Sequence, residues 1–387
     1  MKLILYFADA FGWQYTEEAP FMEGFWSQRR PLQTILGYSS TIIPCLLSGS
    51  LPRDTGVWTE YYRADRPQST LAKVIVTSKV LLTPTNLARL IVFRFARLRG
   101  LPAAHRLRIP LQFAHLFARH DMDYRKFPPV ALPVPTLKDV ASGLGLRFNF
   151  RYLGHQFDLE QELRLLKEQV RDSDVFFYYD ASIDLYGHHR GASVESVSSE
   201  ISRVAAFLTQ ATAIVEEHED AEVLLFSDHG MTDVSSTYDL LRALKGLTIG
   251  TDYLTFIDST FARFWYSAPG VKVAVHEKLA AAPASFLTRE EQSRYGIDFP
   301  DTRYGEDILV ADEGVVFHPS YIAPSFFRTK GYPEKGTHGY RPEAPTTVGI
   351  CFYRGTVIDQ ELADPVPATR VFGYASAIMN ALAGGGK

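Results

Sequence analysis

Four separated segments of this 387-residue chain carry carboxylates and histidines at short spacing. Asp9 closes the apolar run MKLILYFA, Asp184 and His188 lie in DLYGHH, Asp228 and His229 in SDHGM, and His338 in THGY. Carboxylate oxygens and imidazole nitrogens are the donors that suit zinc and related divalent ions. Asp184 and His188 are four residues apart with Gly187 between them, a spacing that lets a loop or the start of a helix turn both toward one point. Asp228 and His229 are adjacent where an apolar run gives way to a turn, with Gly230 to relieve the backbone. A fifth segment, GYSSTIIPCLLSG (37–49), sets the hydroxyls of Ser39, Ser40 and Thr41 in a row ahead of an apolar stretch. An alcohol is a poor nucleophile near neutral pH, and a divalent cation beside a helix N-terminus can stabilise its alkoxide without a histidine base.

Each segment has a plainer reading by itself. An aspartate after a strand caps a turn, a Gly-His pair in a loop is a surface histidine, and a row of Ser and Thr is a helix N-cap. Only their joint occurrence, in this order along one chain, points to a single site.

The elements that must position them follow from the hydrophobic pattern. Short apolar runs alternate with longer helical patterns, which predicts a three-layer α/β sandwich with a mostly parallel central sheet and helices on both faces. Strands are expected at LILYFA (3–8), VFFYY (175–179) and VLLFS (223–227), each reaching an aspartate at its end or one residue on. Ligands in open α/β sheets bind at the carboxyl ends of strands, where Asp9, Asp180 and Asp228 would lie. Helices are expected over 158–171, 193–218 and 368–382. We read one catalytic domain over 1–387, with a basic helical cap inserted at 66–134 and a smaller strand-rich subdomain at 232–335.

Composition bounds the reading. With 46% hydrophobic and 22% charged residues the chain has the make-up of a soluble globular protein. No window approaches the roughly 18 to 20 apolar residues of a membrane span, and the N-terminal apolar run is too short for a secretion signal, so it reads as a buried strand. Two cysteines, Cys45 and Cys351, rule out a disulfide framework and point to a reducing compartment, with a cytoplasmic location expected. Between Asp65 and Asp121 stand ten basic residues and no acidic one, leaving 30 basic against 44 acidic elsewhere. Such a block suits a lid that attracts an anionic substrate, or peripheral contact with an anionic membrane or polyanion. Its arginines do not fall on one side of a helix, which favours the lid, and no nucleic-acid motif accompanies them.

The ordered set of motifs resembles the alkaline phosphatase superfamily, and more closely its type I phosphodiesterase and nucleotide pyrophosphatase branch. The pairing of DxxGHxxG (Asp184, Gly187, His188, Gly191) with SDHGM carries the resemblance. It implies a metal-dependent phosphoester hydrolase, preferably a phosphodiesterase, acting on a small-molecule phosphoester. Two divalent ions are implied, zinc or else manganese, one held by Asp184, His188 and His338, the other by Asp9, Asp228, His229 and the nucleophile. The family's nucleophile stands nine residues before the small residue of a small-residue-Gly pair, here Ser48-Gly49, which selects Ser39 and leaves Ser40 and Thr41 to begin the helix. Two ions about 4 Å apart would clamp an in-line displacement. A phosphoseryl intermediate then hydrolysed by water would give net retention at phosphorus.

The sequence departs from that branch at Ile42, where an asparagine is expected, and in Pro44, which stands later than the usual proline. Arg29, Arg30 or an arginine of the basic block is left to hold the phosphoryl oxygens. A phosphomonoesterase, a phospho-group transferase and a non-catalytic metal-dependent binder of phosphorylated ligands would share the same ligands. Sulfate ester hydrolysis is disfavoured, since residues 39–43 lack the C/S-x-P-x-R context. Trp58, Tyr61 and Tyr62 could stack a base or sugar, or simply pack; Tyr178 and Tyr179 read as strand packing, His189 as a bystander and Cys45 as a small buried residue.

Overall fold

The N-terminal apolar run forms the strand Lys2–Ala8, buried at every position, as expected of a strand covered on both faces. It lies at the heart of the computed structural model, which describes residues 1–18, 20–64, 113, 116–154, 156–322 and 334–384. Most of the basic block, and with it most of the helical cap expected at 66–134 up to residue 115, lies outside the described residues; Arg119 is described and pairs with Glu60. The chain divides into two compact units, one of residues 1–57, 121–234 and 333–387, the other of 58–120 and 235–332. Residues 121–134 thus fall in the first unit, with the central sheet.

The first unit is built on a seven-stranded sheet in the order Val366–Pro367, Gln28–Gln33, Gly349–Arg354, Ala221–Phe226, Lys2–Ala8, Val175–Asp180, Phe148–Gly154. Gly349–Arg354 runs antiparallel to both neighbours, and the other pairings are parallel. Side-chain alternation splits the core in two. Ile4, Tyr6, Phe176, Tyr178, Val223 and Leu225 pack on one face against Val197, Val204, Phe207 and Leu208 of the helix Val194–Glu216. Leu3, Leu5, Phe7, Phe177 and Tyr179 pack on the other against Ile42, Ile43 and Leu46 of Ser39–Ser48 and Val371 and Ile378 of Arg370–Gly384. These are the helix-covered faces that the sequence predicts.

The expected helices form at Leu159–Gln169, Val194–Glu216 and Arg370–Gly384. Asp158 and Ser193 start the first two by accepting the N–H of Gln161 and Ser196. Cys45 and Cys351 are free and buried in the same core layer, and no described helix is long and apolar enough to cross a membrane.

The second unit carries a four-stranded antiparallel sheet, Tyr253–Ile257, Phe261–Tyr266, Asp307–Ala311 and Ala284–Phe286 in that order. Arg263 is fully buried in it and makes a two-point bond to Asp258, at 2.7 and 3.1 Å, while also donating to the Tyr61 carbonyl. Trp58 stacks on Phe261 and Tyr61 on Phe256, so both rings are packing residues of this unit.

Candidate functional site

Strand order brings the first two aspartates together. Ala221–Phe226 and Lys2–Ala8 are parallel neighbours, so Asp228 and Asp9 emerge side by side at their carboxyl ends. Asp228 Oδ1 accepts the backbone N–H groups of Ala10 (3.2 Å) and His229 (3.0 Å). Its buried Oδ2 meets no hydrogen-bond donor among the described residues and lies 3.2 Å from His229 Nε2. The His229 Nδ1 proton is committed to the Gly230 carbonyl at 2.8 Å, since a carbonyl can only accept, and this leaves Nε2 as the coordinating atom.

Asp184 and His188 lie on the helix Ser182–Arg190, where a four-residue spacing puts both on one face. Asp184 Oδ1 is 3.3 Å from His188 Nε2 and 3.4 Å from His338 Nε2, so both imidazoles converge on one buried oxygen. His188 Nδ1 donates to the Gly336 carbonyl at 2.9 Å, again freeing Nε2. Gly187 serves this arrangement by its lack of a side chain rather than by turning a loop. A Cβ there would lie 2.8 Å from Met231 Cε, and the Gly187 carbonyl sits 2.6 Å from where a Cβ on Gly336 would be. The helix can therefore approach the strand Gly336–Thr337, which His338 directly follows.

Among the described residues, two groups have candidate ligand atoms all within 4.8 Å of one another: Asp9, Asp228 and His229, and Asp184, His229 and His338. His229 belongs to both and stacks on His338 with ring centroids 3.7 Å apart. His188 reaches the second group through Asp184, so all six ligands drawn from the resemblance are brought into one neighbourhood.

The row of three hydroxyls separates cleanly. Ser39 is the first residue of Ser39–Ser48; the capping position is taken by the extended Tyr38, whose side chain makes no cap bond. The Ser39 hydroxyl is therefore not spent on capping and lies 3.4 Å from Asp9 Oδ1 and 3.3 Å from His229 Nε2. The helix begins at Ser39 itself, one residue earlier than expected, and Ser40 and Thr41 are buried in its first turn. Ile42, at the position of the expected asparagine, is wholly buried in the core layer.

Charge explains what such a cluster costs. Asp9 and Asp228 are buried and Asp184 largely so, and an ion taken from water without a partner costs several kcal/mol. Burial, then the charges of Asp228 and Asp184, push the Asp9 carboxyl well above its usual range. Burial opposes charge on Asp184 and Asp228 too, but His188 and His338 hold the first, and His229 the second, below the usual range. Burial likewise disfavours charge on His188, yet Asp184 outweighs it and raises the imidazole to about 9. His338, desolvated and beside His229, falls to about 4. Convergent carboxylates and imidazoles, with orphaned oxygens on Asp184 and Asp228, fit divalent cations.

Several other residues fall differently from the sequence reading. Asp180 faces away from the cluster and accepts the Tyr6 hydroxyl (2.8 Å) and the Ser182 N–H (2.9 Å). Arg30 pairs with Glu361 and Asp364, and Arg29 lies over the Phe352 ring, so neither guanidinium is committed to the cluster. Tyr179, read as packing, donates its hydroxyl to Asp9 Oδ2 at 2.7 Å. The strand register Phe7↔Tyr179 puts that ring on the face of Phe7 and Asp9, a relation visible only once the pairing is known.

Gly230 follows His229 for reasons of space, because a Cβ there would lie 2.3 Å from the Thr346 carbonyl and 3.0 Å from that of Val348. Gly230→Ala is expected to destabilise the protein by about 1–3 kcal/mol, the usual cost of overpacking. The check is a urea unfolding curve, with a lowered midpoint and an unchanged slope.

Comparison with known proteins gives the family and the fold. The type I phosphodiesterase / nucleotide pyrophosphatase family model matches residues 3–341, which spans all the clustered residues. Murine ectonucleotide pyrophosphatase / phosphodiesterase 5 superposes with a TM-score of 0.66 at 15% identity, over 98% of this chain and 95% of that one. The human counterpart gives 0.67 at 14% identity over the same shares. At these identities the superpositions establish the fold alone, whereas the family match runs through every motif of the site. This chain belongs to the type I phosphodiesterase / nucleotide pyrophosphatase family, a family of phosphoester hydrolases.

Proposed function

We propose that this protein is a metal-dependent phosphodiesterase that forms a phosphoseryl intermediate on Ser39. The observation that carries the reading is the placement of the Ser39 hydroxyl, at the start of a ten-residue helix and within 3.4 Å of Asp9 and His229. Asp9, Asp228 and His229 with Ser39 would hold one cation, and Asp184, His188 and His338 the other, with zinc favoured by the mixed carboxylate and imidazole donors. Bound divalent cations supply charge to neutralise phosphoryl oxygens and to lower the pKa of an oxygen nucleophile.

The chain's own residues supply orientation. Ser39 Oγ forms its bond to phosphorus as the bond from phosphorus to the leaving alcohol breaks. Water then displaces Ser39 in a second step, and two inversions give net retention. With Arg29 and Arg30 engaged elsewhere and the N–H groups of Thr41 and Ile42 bonded to the Tyr38 carbonyl, the backbone N–H groups of Ser39 and Ser40 at the helix start would meet phosphoryl oxygens. A nucleotidyl substrate is supported by a structural neighbour, an inactive form of murine ectonucleotide pyrophosphatase / phosphodiesterase 5 in complex with AMP.

A panel of aryl phosphate monoester, aryl phosphate diester, phosphonate monoester and aryl sulfate, assayed with zinc or manganese, tests the substrate class. Diester hydrolysis is expected to exceed monoester hydrolysis, with no turnover of sulfate. A clear monoester preference would replace the phosphodiesterase reading by the phosphatase one.

A further inference from the structure

Asp9 stands between two demands, since one oxygen faces the cluster and the other faces the core. Its Oδ1 is the atom near Ser39 Oγ and, at 3.8 Å, His229 Nε2. Its Oδ2 accepts the Tyr179 hydroxyl at 2.7 Å, a short and well-formed bond. The Tyr179 ring cannot turn away to release that bond. It is buried, with ring centroids 4.7 Å from Phe7 and 5.2 Å from Tyr152, and Tyr124 closes the far edge at 6.1 Å.

We propose that Tyr179 is a positioning residue whose hydroxyl occupies Asp9 Oδ2 and so makes Asp9 a one-oxygen ligand, presenting Oδ1 alone to Ser39 and the neighbouring cation. The chemistry is that of an outer-shell hydrogen bond, which fixes the orientation of a ligating carboxylate and withdraws one of its lone-pair sites from the metal. Without the hydroxyl, Oδ2 would lose its buried donor and the carboxylate would be free to rotate toward the cation with both oxygens. The inference rests on the metal-site reading above.

Strand alternation provides the control. Tyr178, the preceding residue, points to the opposite face, where its ring meets Phe207 at 4.7 Å and Tyr6 at 6.2 Å, so Tyr178→Phe removes a buried hydroxyl far from Asp9. Zinc dissociation constants are measured by chelator competition on the wild type, Tyr179→Phe and Tyr178→Phe, all stripped of metal and compared by near-ultraviolet circular dichroism. Tyr179→Phe is expected to weaken zinc binding about 10- to 100-fold, with Tyr178→Phe at the wild-type value. Equal affinity in all three proteins, or the same loss in both variants, would overturn the positioning role. A wild type that binds no zinc would instead overturn the metal-site reading itself. A zinc-loaded crystal structure of the wild type gives a second measurement that needs no variant. Coordination by Asp9 through Oδ1, with Oδ2 on Tyr179, is expected, and coordination through both oxygens would sink the proposal.

Discussion

Ser39→Ala is expected to lower phosphodiester turnover by about a thousandfold to a millionfold, the range seen when a covalent nucleophile is removed. The size of the loss follows from the site, because the other hydroxyls of the segment cannot substitute. Ser40 and Thr41 are buried in the first helical turn, while the Ser39 hydroxyl alone of the three lies against Asp9 and His229. Ser40→Ala should therefore keep most of the activity. Acid quench of the wild type during turnover of a phosphorus-labelled diester should trap label on the Ser39 peptide, and the same quench of Ser39→Ala should trap none. Stereochemical analysis of a chiral product should show net retention. Full activity in Ser39→Ala would end the covalent mechanism, and a loss with Ser40→Ala in its place would move the nucleophile by one residue.

Removal of metal should have an effect of similar size. Dialysis against chelator is expected to abolish hydrolysis, and zinc or manganese to restore it. Asp9→Asn sharpens the test. Since burial and the neighbouring carboxylates disfavour charge on Asp9 in the metal-free protein, an amide of the same shape should leave the metal-free fold about as stable as before. Metal affinity should nonetheless fall by more than about a hundredfold, because the variant has lost a ligand and a charge rather than an outer-shell contact. Thermal unfolding with and without zinc separates the two outcomes: equal midpoints in chelator, and a larger zinc-dependent rise in the wild type than in the variant, which keeps the site of Asp184, His188 and His338. The pH dependence has a definite sign. His188 stays protonated up to about 9, mainly because Asp184 overcomes the effect of burial, so a cation must expel that proton in order to bind. Affinity should therefore climb with pH and level off above about 9. A pH-independent dissociation constant between 6 and 9 would remove His188 from the ligand set.

Much of this site is legible along the chain because its parts are local. The apolar runs that end near Asp9 and Asp228 report their own strands, and the four-residue spacing of Asp184 and His188 reports one helix face. Their ordered occurrence is enough to recognise the family before any coordinate is seen. Other features are not local. Asp180 ends a strand just as persuasively as the site aspartates, yet it turns onto the Tyr6 face, and only the packing of that face takes it out of the cluster. Gly187 and Gly230 look like turn residues, but each makes room for a neighbour distant in sequence, Met231 in one case and the Thr346 carbonyl in the other.

The sequence by itself determined the chemical inventory: which segments carry carboxylates, imidazoles and hydroxyls, and that strands and helices in α/β order must gather them. The tertiary structure decided which atoms meet. Of three adjacent hydroxyls it turned Ser39 toward Asp9 and His229, and of two adjacent tyrosines it turned Tyr179 toward Asp9. The physical reason is the same in both cases. Spacing in sequence sets the direction of a side chain relative to its own helix or strand, but what lies in that direction depends on strand order and register, which here join residues about 30 to 190 positions apart.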